Sequence, residues 1–267
     1  KSFNEMKSIA MAISNKLEIV GPINFQFAVK DGKIYCIEAN PRGSRTLPFL
    51  SKALNVSLPK IATDAMLGDS ITPYEPSQTG YFSVKQSTFP FERFIQDNIL
   101  LGPKMRSTGE TMGIDQDKEI AVLKSYQGNY PSLGKKGKIL LSLADHTKDI
   151  VLPYLKSLAR MGFSFVGTRG TSEYIRKQGI SCETVSKIDE VGSNILEVLK
   201  DESIKIVFNT PDNQGQALND GEHIRNCAIQ YAIPCFTRPE NIRAVCEALI
   251  GVNDSEVRPV ALQDMGV

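Results

Sequence analysis

From Lys138 onward, short apolar runs and amphipathic stretches alternate with a period that suits β-α units. Lys138–Leu143 reads as a strand and Thr147–Met161 as a helix, then Phe163–Val166 as a strand and Gly170–Gln178 as a helix. Ile204–Phe208, Gly221–Tyr231, Pro234–Phe236 and Pro239–Ile250 repeat the order strand, helix, strand, helix. Ile204, Ile206, Val207 and Phe208 do not alternate with polar residues, as expected of a strand covered on both faces. The expected fold class is therefore α/β, with a doubly wound parallel sheet in this region. A ligand of such a sheet sits in the loops at the carboxyl ends of its strands.

Composition narrows the partners. The 31 basic residues nearly cancel the 30 acidic ones, giving a net charge of +1, so neither nucleic acid nor an anionic membrane is called for. No apolar run approaches the ~20 residues of a membrane-spanning helix. Cys36, Cys182, Cys227, Cys235 and Cys246 are odd in number and lack CxxC spacing, which argues for reduced thiols in a cytoplasmic protein. With only His146 and His223, a histidine-rich metal centre cannot be built.

The chain before Lys138 is of another kind. An amphipathic helix carrying Phe3, Met6, Ile9, Ala10 and Ile13 leads into two strands, Ile23–Val29 and Lys33–Asn40, joined at Asp31-Gly32. A basic loop with Arg42 and Arg45 follows, then helices beginning near Pro48 and Pro59, the second stopping at Gly68. From Gly68 to Tyr130, prolines and glycines interrupt the pattern, and Tyr81–Lys85 is the clearest strand.

Two constellations carry chemistry. On the hairpin, Glu38 and Asn40 share a face by two-residue spacing, and Gln26 on the opposing strand lies within reach of both. Three oxygen-bearing side chains suit a hard divalent cation that also takes substrate phosphates. Arg42 and Arg45 follow, where guanidinium groups neutralise charge developing in phosphoryl transfer. Spacing alone fits an exposed polar hairpin and a solvated basic loop as well.

Gly21-Pro22-Ile23-Asn24-Phe25-Gln26-Phe27, followed by Ile37-Glu38-Ala39-Asn40-Pro41-Arg42-Gly43-Ser44-Arg45-Thr46-Leu47-Pro48-Phe49, resembles the end of an ATP-grasp domain. It looks like the second ATP-grasp unit of the carbamoyl phosphate synthetase large-subunit family. Leu101-Gly102-Pro103-Lys104-Met105-Arg106-Ser107-Thr108-Gly109-Glu110 resembles the stretch after that unit. The resemblance implies ATP as substrate and Mg²⁺ or Mn²⁺ as cofactor, with the metal on Gln26, Glu38 and Asn40. ATP would touch Gln26 and Glu38, with Arg42 and Arg45 in the catalytic loop. It further implies carbamate phosphorylation, an upstream part of the large subunit, a glutaminase small subunit, and a role in pyrimidine and arginine synthesis. The upstream phosphate loop and adenine-binding strands are not in this sequence, so a carboxy-terminal fragment or split-gene product, inactive alone, is expected. Gln86 stands where ornithine-activated members have glutamate, which implies a weak ornithine response.

The second constellation lies at three strand ends: Ser142-Leu143-Ala144-Asp145-His146-Thr147-Lys148, Gly167-Thr168-Arg169-Gly170-Thr171, and Asn209-Thr210-Pro211. A helix opening after Gly170 offers free amides to a phosphate, with hydroxyls of Thr168 and Thr171 and the charge of Lys148 nearby. Taken singly, the threonines suit helix caps and the lysines a solvated surface. These stretches resemble the methylglyoxal-synthase-like domain that ends the same large subunit. That resemblance implies a nucleotide effector of the UMP, UTP or IMP class, contacted by Ser142, Lys148, Thr168, Thr171, Lys187 and Asn209. Methylglyoxal synthase itself is the enzymatic rival, but its catalytic Asp falls near Thr210 and a histidine of its pattern is replaced by Ala144. A free-standing nucleotide-binding regulator is the non-catalytic rival. The expected organisation is 1–67 as the carboxy-terminal part of an ATP-grasp domain, 68–129 as a connecting segment and 130–267 as the allosteric domain.

Overall fold

A computed structural model describes residues 2–72, 80–89, 100, 106–134, 136–186, 195–211, 216–252 and 257–261. Lys187 and the stretch 101–105, both singled out in the sequence, lie outside the described residues. The chain divides into two compact units, Lys1–Tyr81 with Val260–Val267, and Phe82–Pro259.

In the first unit, helix α1 (Ser2–Lys16) precedes an antiparallel hairpin of β1 (Asn24–Lys30) and β2 (Lys33–Asn40). Asp31 (φ 51°) and Gly32 (φ 73°) both take positive φ, the requirement of a two-residue turn whose twist matches the strands it joins. Helices α2 (Thr46–Ala53) and α3 (Leu58–Leu67) follow. Pro59 sits in the first turn of α3, and Gly68 closes that helix in the left-handed conformation (φ 86°). No described residue of this unit is buried. Phe3, Ile37, Met66 and Leu67 are each mostly exposed.

The second unit opens with an antiparallel pair, β3 (Phe82–Thr88) and β4 (Gly109–Asp115), against which α4 (Lys118–Gln127) packs. The sequence pattern anticipates β3 but neither β4 nor α4. Asp117 caps α4 by accepting a hydrogen bond from the Ile120 amide at 2.9 Å. Gly113 of β4 lets α4 come close: a Cβ there would lie 1.8 Å from the Ala121 carbonyl oxygen and 2.6 Å from the Ser125 nitrogen.

Beyond it lie β5 (Lys138–Ser142), α5 (Asp145–Arg160), β6 (Ser164–Thr168), α6 (Arg169–Lys177), β7 (Glu183–Val185), α7 (Ile195–Leu199), β8 (Ile204–Asn209), α8 (Gln216–Gln230), β9 (Cys235–Phe236) and α9 (Pro239–Gly251). The five strands form one sheet in the order β7-β6-β5-β8-β9, every pair parallel. Ile139, Leu141, Ile206 and Phe208 join Val151, Leu155, Val245 and Leu249 in a core on one face. Leu140, Val166 and Val207 join Ile195, Leu199, Ile224 and Ala228 on the other. Helices therefore cover both faces, as the unalternating apolar runs predict. The order of connection reverses between β5 and β8, which is where a doubly wound sheet opens a crevice.

Gly113→Ala should destabilise the second unit by about 1–3 kcal/mol, because backbone atoms rather than a flexible side chain occupy the space a methyl group needs. Urea unfolding of the chain checks this; an unchanged midpoint would show that α4 shifts freely away from β4.

Candidate functional site

On the hairpin, the register places Gln26 directly opposite Glu38 and Asn24 opposite Asn40. An irregularity between Gln26 and Phe27 follows at once, and beyond it Phe27 faces Cys36. Asn40 Nδ2 donates to Glu38 Oε1 at 2.9 Å, so the carboxylate and the amide meet as their spacing predicts. Gln26 and Glu38 are exposed and Asn40 is half-buried. The set holds one carboxylate and two amides. It fits part of a hard-cation site, in which phosphate oxygens supply the remaining ligands. No group of three or more His, Cys, Asp or Glu side chains suited to a metal occurs among the described residues. The loop after β2 is folded on its own backbone: the Arg42 amide donates to the Asn40 carbonyl at 2.8 Å, and Arg42 Nη1 donates to the Gly43 carbonyl at 3.1 Å. Arg45 stands at the N-cap position of α2, and both arginines are exposed.

In the second unit, the ends of β6, β5 and β8 are spliced by side-chain hydrogen bonds. Thr168 Oγ1 donates to Thr171 Oγ1 at 3.2 Å, and Thr171 Oγ1 accepts from the Leu143 amide at 3.1 Å. On the other side of β5, Thr210 Oγ1 accepts from the Ala144 amide at 2.8 Å and lies 2.7 Å from Thr147 Oγ1. Thr147, Thr171 and Thr210 are buried, and Thr168 and Ser142 are half-buried. Thr168 occupies the N-cap position of α6 without making a side-chain cap bond. Thr171 is thus a strut between α6 and β5, a role that its place in the motif does not reveal.

Lys148 points into this cluster with its side chain 9% exposed. Its Nζ donates to the Gly170 carbonyl at 3.0 Å and to Asp145 Oδ1 at 2.5 Å, and lies 5.6 Å from the Tyr174 ring centroid. A lysine so nearly buried costs free energy unless an anion faces it. Here the exposed Asp145 supplies that anion. The Lys148 hydrogen bond and charge hold the Asp145 carboxyl below its ordinary 3.8. Asn209, at the end of β8, is buried and accepts from Arg225 Nη1 at 2.7 Å. Arg225 belongs to α8 and is itself buried; sequence reading passed over it, although an arginine beside Ile224 and four residues after a helical glycine is a visible irregularity. The strand ends thus bring together Ser142, Lys148, Thr168, Thr171 and Asn209 of the residues anticipated there.

The hairpin bearing Gln26, Glu38 and Asn40 and strands β6 to β9 of the parallel sheet fall in stretches that match two different domain families. Residues 1–72 match the model of the carbamoyl-phosphate synthase L chain, ATP binding domain, and residues 150–237 match that of the MGS-like domain. The carbamoyl phosphate synthase large chain of Mesorhizobium japonicum is 36% identical over 96% of this chain, which spans 23% of that relative. The carbamoyl phosphate synthase large chain, C-terminal section, of Methanopyrus kandleri is 36% identical over 95% of this chain, which spans 48% of it. The large chain of Myxococcus xanthus is 37% identical over 97% of this chain, which spans 24% of it. Over nearly its whole length the chain is similar to the carboxy-terminal part of carbamoyl phosphate synthase large chains, and it spans less than half the length of each of these relatives.

A carboxyl whose native pKa lies below its unfolded value favours the fold when ionised. The Asp145–Lys148 contribution is therefore present in full above about 4 and is lost as pH falls through the lower native value. Lys148→Met should return the Asp145 carboxyl to its ordinary range, read by carbon-detected NMR titration. A midpoint unchanged by the substitution would show that the ion pair does not form in solution.

Proposed function

We propose that this chain forms the carboxy-terminal part of an ATP-dependent carbamoyl phosphate synthetase, with the first unit completing a metal–ATP site and the second sensing a nucleotide effector. The observation that carries the reading is the order of two likenesses in one chain, the ATP-binding domain at 1–72 and the MGS-like domain at 150–237. The reaction is carbamate phosphorylation to carbamoyl phosphate. Glu38, with Gln26 and Asn40, would hold Mg²⁺ or Mn²⁺ on ATP, and the bound cation would draw charge from the phosphate oxygens. Arg42 and Arg45 neutralise phosphoryl charge from the adjoining loop. An upstream part of the large subunit supplies the remaining ATP contacts, and a glutaminase small subunit supplies ammonia. The exposed Phe3, Ile37, Met66 and Leu67 support an ATP-grasp body larger than this unit. The described helices include none long and apolar enough to cross a membrane, and the five free thiols support a reducing, cytoplasmic setting.

In the second unit, Lys148 exchanges Asp145 for the effector phosphate at the α6 N-terminus, and Ser142, Thr168, Thr171, Lys187 and Asn209 complete the contacts. An effector of the UMP, UTP or IMP class then shifts activity by its differential affinity for two arrangements of the synthetase. The contrast between the well-built core of the second unit and the first unit, none of whose described residues is buried, supports a second reading, a free-standing nucleotide-binding regulator. Methylglyoxal synthase chemistry fits less well: Thr210 stands where that enzyme's base falls, and its hydroxyl is engaged with Ala144 and Thr147.

Calorimetric titration with UMP, UTP, IMP and Mg-ATP should give micromolar binding of one nucleotide, lost in Lys148→Ala. No binding of any would remove the sensor assignment and leave the fragment reading. Carbamoyl phosphate formation on adding the missing upstream part and the glutaminase separates synthetase from regulator.

A further inference from the structure

Arg225 is a buried cation with donors left over. Its side chain reaches Asn209 Oδ1 through Nη1, while Nε and Nη2 have no hydrogen-bond partner among the described residues. The residue is 1% exposed. A guanidinium does not escape this cost by deprotonating at neutral pH. An unneutralised charge inside a protein is expensive unless an anion answers it. Such a residue is retained where its charge or its geometry has a use.

Both have one here. Arginine has no acceptor atom, so the oxygen of the Asn209 amide must be the atom facing Nη1. Asn209 Nδ2 is therefore turned away from the guanidinium and is available as a donor. Asn209 pairs in register with Ser142 of β5, beside Thr210, which ties the β5 end to β8. The amide thus stands at the switch point with its donor sense fixed. Gly221 of α8 abuts the same pair: a Cβ there would lie 2.9 Å from Arg225 Nη1, 3.6 Å from Asn209 Oδ1 and 3.7 Å from Nδ2. Only a residue without a side chain leaves the guanidinium in line with the amide.

We propose that Arg225 is a specificity-determining residue of the strand-end pocket: it fixes Asn209 as a donor to the ligand and supplies a buried positive charge that favours anions in the pocket. The proposal rests on the nucleotide-pocket reading above. The group of the ligand that meets Asn209 is then an acceptor, a phosphate, hydroxyl or carbonyl oxygen, and not an amino group. Lys148 and Arg225 act from opposite sides of β5, one bonded to Asp145 and one with Nε and Nη2 lacking a hydrogen-bond partner among the described residues. An arriving phosphate lowers the electrostatic cost of both.

The test uses UMP, IMP and uridine as probes on the whole chain, with calorimetry and a thermal melt run together. Arg225→Met should weaken UMP or IMP binding by about tenfold or more, weaken uncharged uridine by less, and leave the melting temperature unchanged or higher. Arg225→Lys, which keeps a charge and a donor, should recover part of the affinity. Should Arg225→Met fail to fold, Gly221→Ala decides the matter, because it displaces only the tip of a flexible side chain in a helix that tolerates alanine well. Unchanged nucleotide affinity in a folded Arg225→Met or Gly221→Ala overturns the assignment while leaving the pocket reading intact. A wild-type chain that binds neither UMP nor IMP overturns the pocket reading, and this inference with it.

Discussion

The second unit depends on β5 being covered on both faces and paired on both edges. Leu140 enters one core while Ile139 and Leu141 enter the other, and all three are fully buried. A parallel strand with no open face can present chemistry only at its ends. Its carboxyl end is where the chain reverses its direction of winding, between β5 and β8. A doubly wound sheet takes its ligand at such a point.

The loop after β5 is held at that end by hydroxyls. Thr171 and Thr210 each satisfy a backbone amide of the loop after β5, Leu143 and Ala144 respectively. Two amides that would otherwise need water are thereby answered inside the protein. The loop carrying Asp145 and the start of α5 is fixed from both sides, so Lys148 emerges from a rigid first turn. The first unit is organised differently. Its hairpin carries exposed Gln26 and Glu38, and none of its described apolar residues is buried.

The hairpin was legible as far as its turn and its two strands, because Asp31-Gly32 marks the turn. The facing of Gln26 and Glu38 was not: the register counted from the turn would put Gln26 opposite Ile37, and the irregularity between Gln26 and Phe27 moves it opposite Glu38. The parallel sheet was equally legible, because apolar runs without alternation have few other uses. β4 and α4 were not. Ile120, Ala121, Val122 and Leu123 are consecutive rather than spaced at helical intervals, so no stripe marks the helix, and Gly109–Asp115 has no alternation to mark the strand. β7 and α7, of three and five residues, fall below the length at which a period can be read. At the site, the cluster of Lys148, Thr168, Thr171 and Asn209 was foreseen, but what each hydroxyl binds was not. A bond from Thr171 to the amide of Leu143 joins residues on different elements, and no local pattern encodes it. Arg225 escaped notice because a single arginine on a helix ordinarily lies on its wet side.

The Asp145–Lys148 pair sets the terms on which an anion meets the lysine. A carboxylate tethered three residues away is present at a high effective concentration, and an external anion engages Lys148 Nζ only by displacing it. The pair is lopsided: the Lys148 side chain is 9% exposed and that of Asp145 94%. Water and dissolved ions therefore reach the pair mainly from the carboxylate side, and salt weakens it from there.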